Sequence, residues 1–294
     1  MSKNSLFLIA LFALPLFVAC EKNNSIEKSN LVGECYNYFD NKEIFSEATL
    51  TINSDGTFIY FKTLYGLNGS EKYISYQSEF KGSLKLKGNH LSMKITKAQY
   101  RSSVGSIPGT MDLTEWSDEI GYSREEKSSE ISLLQNCSAL LIDKLYDPHY
   151  DREYLTLFVR KGTALNNNSD LQGTWCSYRK LDADTYGVDI AIKINNDSID
   201  MVFNMEGARY VGKYTYENGM LSTADSLTYY TCWDSDKNND ANWTDPYAVP
   251  WRESSLNDPN TISVFYKGYT MTFVAEDETA YCQFAWYAVK FTKQ

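Results

Sequence analysis

Histidine is nearly missing from this chain of 294 residues: His90 and His149 are the whole supply, and neither lies in a nucleophile or metal motif. That scarcity removes the commonest general base and the paired imidazoles of a zinc site. The six cysteines include no Cys-x-x-Cys pair, which argues against cysteine-held metal. Phosphate-cradling glycine loops and dinucleotide fingerprints are absent as well. Positive charge is in deficit, with 28 Lys and Arg against 38 Asp and Glu for a net −10, so nucleic acid is not an expected partner. Helical periodicity is scarce throughout. What carboxylates there are do not make an active site on paper. Asp182 with Asp184, and Glu276-Asp277-Glu278, read as solvated faces, because glycoside cleavage needs two carboxyls facing each other roughly 5 to 10 Å apart. Asp147-Pro148-His149-Tyr150-Asp151 sets two carboxylates around an imidazole, but adjacent positions on a turn do not converge on one substrate atom. An enzyme is not expected.

Long apolar runs are equally rare, and the one present is informative. Leu6 to Val18 follows Lys3 and leads into Ala19-Cys20. Such a run is shorter than the roughly 20 residues a spanning helix needs, and the small residue before the cysteine suits cleavage there. Val18-Ala19-Cys20 resembles the lipobox of bacterial lipoproteins, with Phe17 standing where leucine is usual. The resemblance implies a signal peptide over 1–19, acyl chains such as palmitate on Cys20, and a lipidated tether over 20–29. The expected address is the bacterial cell envelope, with the outer membrane favoured and the lipid as the membrane contact. A cleaved ordinary secretion signal is the alternative. After lipidation, Cys35, Cys137, Cys176, Cys232 and Cys282 remain, an odd number. An exported chain permits Cys35–Cys137 and one bridge among the other three, while buried free thiols are just as ordinary, so the pairing stays open.

What is abundant is the aromatic ring, with 23 Tyr and 14 Phe, a composition that favours pleated, half-buried strands. Alternation agrees: Val188, Ile190, Ile192 and Ile194 share one predicted face, and Ile199, Met201 and Phe203 share another. Asn195-Asn196-Asp197-Ser198 between them, and Asn53-Ser54-Asp55-Gly56 in the first half, are hairpin turns by composition. The two halves also repeat one another. Leu31-Val32-Gly33-Glu34-Cys35 recurs as Leu171-Gln172-Gly173-Thr174-Trp175, and Leu50 to Asp55 recurs as Ile192 to Asp197. Gly82-Ser83-Leu84 with Leu91 recurs as Gly212-Lys213-Tyr214 with Leu221, and each half ends on a segment read as alternating, Leu155–Lys161 and Tyr287–Lys293.

The Leu-x-Gly-x-Trp opening, the hairpin at Asp55 to Phe58 and the strand Gly82 to Leu86 resemble lipocalin-like domains of Bacteroidetes lipoproteins. That resemblance implies an all-β protein of two consecutive antiparallel up-and-down barrels, over 30–163 and 170–294, joined by a linker at 164–169. It also implies that Trp175 packs across the second barrel's floor, with Cys35 in the equivalent place of the first.

Two features carry candidate chemistry. Asp234, Asp236, Asn238, Asp240, Asn242 and Asp245 fall at the oxygen-bearing positions of a calcium loop, so Ca2+ is a candidate cofactor. Asn239 replaces the turn glycine and Asp245 the bidentate glutamate, and a solvated acidic loop is the competing reading. The surrounding insertion carries Trp243, Tyr247 and Trp251, rings able to stack on a sugar or to pin the loop to the barrel. A first-half counterpart, Tyr100 to Glu130, is a lid or packing. The functional expectation is a non-enzymatic envelope lipoprotein that binds a small hydrophobic molecule, a glycan or a protein, with Trp243, Tyr247, Trp251 and Trp175 as ligand candidates. A structural subunit of a surface assembly and, further off, a carboxylate-based glycan hydrolase are the alternatives.

Overall fold

A computed structural model describes residues 26–41, 44–68, 71–104, 112–118, 125–148, 151–163, 165, 171–180, 186–204, 207–223, 227–232, 245–247, 251–253 and 268–294. The signal segment, Cys20, most of the tether, and linker residues 164 and 166–169 lie outside them.

The first half runs β1 (Gly33–Asp40), β2 (Phe45–Ile52), β3 (Thr57–Asn68), β4 (Glu71–Lys87), β5 (His90–Val104), β6 (Asp112–Leu113), β7 (Ser117–Asp118), β8 (Lys127–Leu134), β9 (Ala139–Asp147) and β10 (Arg152–Arg160). Neighbours pair antiparallel from β1 to β5, β5 passes to β8, and β10 returns to β1, closing an eight-stranded barrel with β6 and β7 on the edge of β5. Local chemistry sets the corners. The expected turn after Ile52 is closed by Gly56 at φ +89 and by the Asp55 carboxylate accepting from the Thr57 N–H at 2.8 Å. Gly82 lies opposite Phe58, and a Cβ there would sit 2.0 Å from the Lys94 carbonyl oxygen and 2.8 Å from the Phe58 ring. The ring therefore occupies the space that the glycine leaves open. Leu50, Phe58, Tyr60, Phe80, Leu91, Ile142 and Phe158 fill the interior. At one end, Arg160 donates to the carbonyls of Val32, Asn30 and Cys137, tying β10 to the chain entering β1.

The second half runs β11 (Gly173–Lys180), β12 (Tyr186–Asn195), β13 (Ser198–Phe203), β14 (Ala208–Glu217), β15 (Met220–Thr223), β16 (Thr228–Thr231), β17 (Arg252–Glu253), β18 (Thr270–Glu276), β19 (Thr279–Gln283) and β20 (Ala288–Lys293), again antiparallel throughout. Pairing passes from β11 to β15, on to β18, and through β19 and β20, whose Lys293 and Thr292 meet Trp175 and Cys176 of β11. β16 hangs on the first part of β14 and carries β17. Trp175 is fully buried, edge-on to Phe273, with its indole N–H donating to the Leu171 carbonyl at 2.8 Å. One expected face is corrected. A bulge opposite Ser177 and Tyr178 leaves Asp189 unpaired, so Val188 turns away from Ile192 and Ile194 and joins Cys176, Ala191 and Val202 on the outside.

The halves share sheet as well as surface. The free edge of β1 divides: Cys35 and Tyr36 pair with β10, whereas Phe39 and Asp40 pair with Met271 and Thr270 of β18. Phe39 thereby leaves the first core and packs in the second, against Tyr269 and Phe284. Leu141, Leu157 and Val159 on the outside of the first barrel meet Val274 and Ala288 in a separate apolar layer. The Gln283 side-chain oxygen accepts from the Leu157 N–H at 2.9 Å, and the Ser46 hydroxyl donates to the Ala285 carbonyl at 3.1 Å. This layer overrides the simple alternation expected at Leu155–Lys161: Leu157, Phe158 and Val159 are all fully buried, because both faces of β10 are covered.

The five cysteines among the described residues are free thiols, so neither candidate bridge is formed. Burial raises the pKa of Cys35 and of Cys282, and burial together with the Asp245 carboxylate pushes Cys176 up to about 11. These thiols stay protonated and are poor nucleophiles.

Candidate functional site

Barrels of this width have room for packed side chains or for one small ligand, and the first barrel takes the former course. Its interior void is about 20 Å³, bordered by Phe58, Tyr60, Phe80, Leu91, Met93 and Ile95, with Lys127, Lys144 and Tyr146 towards one end. That is room for about one water. Further along the interior, Lys62 and Asp147 form an ion pair at 3.3 Å with both side chains less than a tenth exposed. Burial lowers the Lys62 pKa, and the adjacent Asp147 carboxylate partly restores it. Asp147 is thus neutralised by a lysine, and Asp151 accepts from the Tyr146 hydroxyl at 2.8 Å. His149, between them, lies outside the described residues.

Larger spaces lie outside this first barrel. A cleft of about 410 Å³ is lined by Tyr36, Asn37, Tyr38, Glu47, Ala48, Thr49 and Phe61 from the first half and by Met220 and Thr270 from the second. A second depression of about 650 Å³, lined by Glu34, Tyr36, Lys161, Gly162, Thr163 and Asn218, shares Tyr36 with it. The division of β1 between β10 and β18 creates this geometry: residues of β1, β2 and β3 form one wall, and Met220 and Thr270 of the β15–β18 ladder form the other. Tyr36 donates to the Asn218 carbonyl at 3.3 Å across the gap. Asn37 is buried, and its amide nitrogen has no partner among the described residues. The Tyr38 hydroxyl donates to Asp40 at 3.2 Å, and the Tyr65 hydroxyl donates to Glu47. Burial, followed by the neighbouring carboxylate, raises both phenol pKa values.

The residues singled out from the sequence lie elsewhere. Trp175 is enclosed in the second core, with its polar edge satisfied. Tyr247 and Trp251 lie over the outer patch of Cys176, Val188, Ala191 and Val202. The Tyr247 hydroxyl donates to the Asp200 carbonyl at 3.1 Å, and the Trp251 indole to the Pro246 carbonyl at 2.9 Å. Arg209, bidentate to Asp200 at 2.6 and 2.9 Å, sits against the rings of Tyr230 and Tyr247. The Tyr247 and Trp251 rings cover that outer face of β11, β12 and β13. Trp243 and the calcium-loop positions Asp234, Asp236, Asn238 and Asp240 lie outside the described residues. Asp245 is described, and its carboxylate caps the Tyr247 N–H at 3.0 Å. Among the described residues no group of three His, Cys, Asp or Glu is placed to hold a metal ion. Sequence reasoning missed the cleft residues; their one signal was the aromatic excess at outward-facing strand positions.

No family model matches the chain, and no curated protein matches it. Among solved structures, Aeromonas veronii immune modulator A is similar over 89% of this chain and 93% of its own, at 10% identity and a TM-score of 0.26. Similarity at that level carries nothing over to this chain.

Proposed function

We propose that this is a non-enzymatic lipoprotein of the bacterial cell envelope, anchored through Cys20, built as two consecutive lipocalin-like barrels, and binding its partner on the outer cleft between them. One observation carries the choice of site: the first barrel encloses only about 20 Å³, whereas the cleft offers about 410 Å³ with mixed aromatic and polar walls. A lipid or other small hydrophobic molecule carried inside the first barrel is disfavoured on that ground, and a glycan, a polar small molecule or a protein segment fits better. The protonated, buried thiols and the carboxylates engaged by Lys62, Tyr38 and Tyr65 support binding over catalysis. A structural role in a surface assembly is the second reading, favoured by the exposed rings of Tyr178, Tyr186 and Tyr287.

Screening the mature protein on glycan and small-molecule arrays tests this, alongside Thr49→Trp, which fills the cleft from its β2 wall. Binding lost in Thr49→Trp supports the site; binding that Thr49→Trp leaves intact removes it. Cys20→Ala should move the protein from the membrane to the soluble fraction, and retention in the membrane refutes the anchor. Calcium on the 234–245 loop is the one cofactor this reading admits, and a calorimetric titration silent at millimolar calcium ends it.

A further inference from the structure

Beside the cleft, three rings converge on one cation. Lys72 on β4 holds its ammonium 4.1 Å from the centroid of Tyr65, 4.3 Å from that of Phe45 and 5.8 Å from that of Tyr38. The strand register builds this cage. Phe45 pairs with Tyr65, Tyr38 pairs with Glu47 and Lys72 pairs with Leu67, so residues from four consecutive strands meet on one patch. Among the described residues Lys72 makes no hydrogen bond or ion pair, and its exposed side chain lays the ammonium against the rings. The carboxylates of Asp40 and Glu47 accept from the hydroxyls of Tyr38 and Tyr65. A phenol that donates to an anion carries more electron density in its ring, which strengthens its attraction for a cation on its face. Tyr38 and Glu47 also line the cleft, so the cage and the cleft adjoin.

A lysine ammonium is strongly hydrated and sits on a long flexible stem, which makes it a replaceable occupant. An alkylated ammonium carries the same charge with less hydration to lose, and it covers more ring surface. We propose that the Tyr38–Phe45–Tyr65 cage binds an organic ammonium group, that the body of the ligand lies in the adjoining cleft, and that Lys72 is the intramolecular stand-in which the ligand displaces. The proposal rests on the cleft being the binding face and names the chemical class it accepts.

The test is a calorimetric titration of the full mature chain with choline, run against its neutral carbon isostere 3,3-dimethylbutan-1-ol at constant ionic strength. Lys72→Ala empties the cage and should bind choline about tenfold more tightly than the unaltered chain, with no comparable response to the neutral alcohol. Adding Tyr65→Leu, or Tyr38→Leu should the first variant lose its strand circular dichroism, should abolish the gain. If Lys72→Ala ignores millimolar choline, or answers the alcohol equally, the ammonium site is overturned. In that event a glycan or protein that still binds wild type and fails to bind Thr49→Trp leaves the cleft standing without the cage. No binding in either experiment removes both.

Discussion

Lys62 and Asp147 offer the sharpest check on how the first barrel is built. Their charges stand 3.3 Å apart inside it, with side-chain exposures of 6% and 7%. Replacing the lysine alone, Lys62→Met, keeps most of the packed volume but removes the balancing charge from a carboxylate in a place that water barely reaches. Breaking a buried pair in this way costs about 3–5 kcal/mol, because the desolvation of the remaining charge is no longer offset. Replacing both, Lys62→Met with Asp147→Leu, removes the desolvation along with the attraction, and the result should lie within about 1 kcal/mol of the parent or above it. At about 2–4 °C per kcal/mol for a unit of this size, the single variant should melt on the order of 10 °C lower. Urea unfolding followed by fluorescence, with the Asp147→Leu single variant closing a double-mutant cycle, measures the coupling. The pH dependence supplies an independent sign. Burial holds the folded-state pKa of Lys62 below its ordinary value, so the unfolded chain takes up the proton more readily. Stability from this group therefore rises as pH climbs through its folded pKa, and Lys62→Met should flatten that segment of the profile. A loss below about 1 kcal/mol in Lys62→Met, or a double variant as unstable as the two singles summed, refutes the reasoning.

Three further outcomes are expected. Gly82→Ala pushes a methyl group to 2.0 Å from the Lys94 carbonyl and 2.8 Å from Phe58, and should cost about 1–3 kcal/mol in urea unfolding; a neutral effect would mean that Phe58 does not cover that glycine. Phe39→Ala empties the place where β1 enters the second core and should cost about 3–5 kcal/mol while speeding proteolysis of the second half; unchanged protease resistance would show that the shared ladder does not hold the halves. Burial raises the phenol pKa of Tyr60 and of Tyr247 above the ordinary 10.0, so their contribution to stability is complete below that value and is lost as pH rises through the folded pKa. Thermal melting should accordingly decline steadily above pH 10, and a flat profile across that range contradicts the burial of these hydroxyls.

Much of the strand pattern is legible in the residues, because a period of two and a turn of Asn, Asp and Gly are both local signals. Leu50–Ile52, Leu91–Ile95 and Ile190–Ile194 lie where alternation puts them, and the turn after Ile52 closes as its composition predicts. Val188 shows the limit: a bulge costs one unpaired residue and reverses every side chain beyond it, and nothing about Asp189 announces that it is the one. The junction between halves was partly readable. Leu157-Phe158-Val159 and Leu140-Leu141-Ile142 are unbroken apolar runs, the mark of strands covered on both faces, and treating the first as alternating concealed a partner surface. The cleft was scarcely readable, since the aromatic excess does not say which rings share a face, and the opposite wall exists only after β18 has come alongside β1. The insertion rings leave two readings open in the sequence, exposed stacking rings or a cover for an oily wall, and Tyr247 hydrogen-bonded to Asp200 over the Cys176, Val188, Ala191 and Val202 patch fits the second.

That two-way division of β1 gives the halves a restraint besides the connecting peptide. Separate fragments of the two halves would retain complementary surfaces, a strand edge with its backbone hydrogen bonds and a buried ring, as complementation pairs do. Either fragment made alone would present a raw strand end to its neighbours, with self-association the foreseeable fate. Whoever divides this chain into modules for study should carry Phe39 and Asp40 together with β18, or expect to purify aggregates.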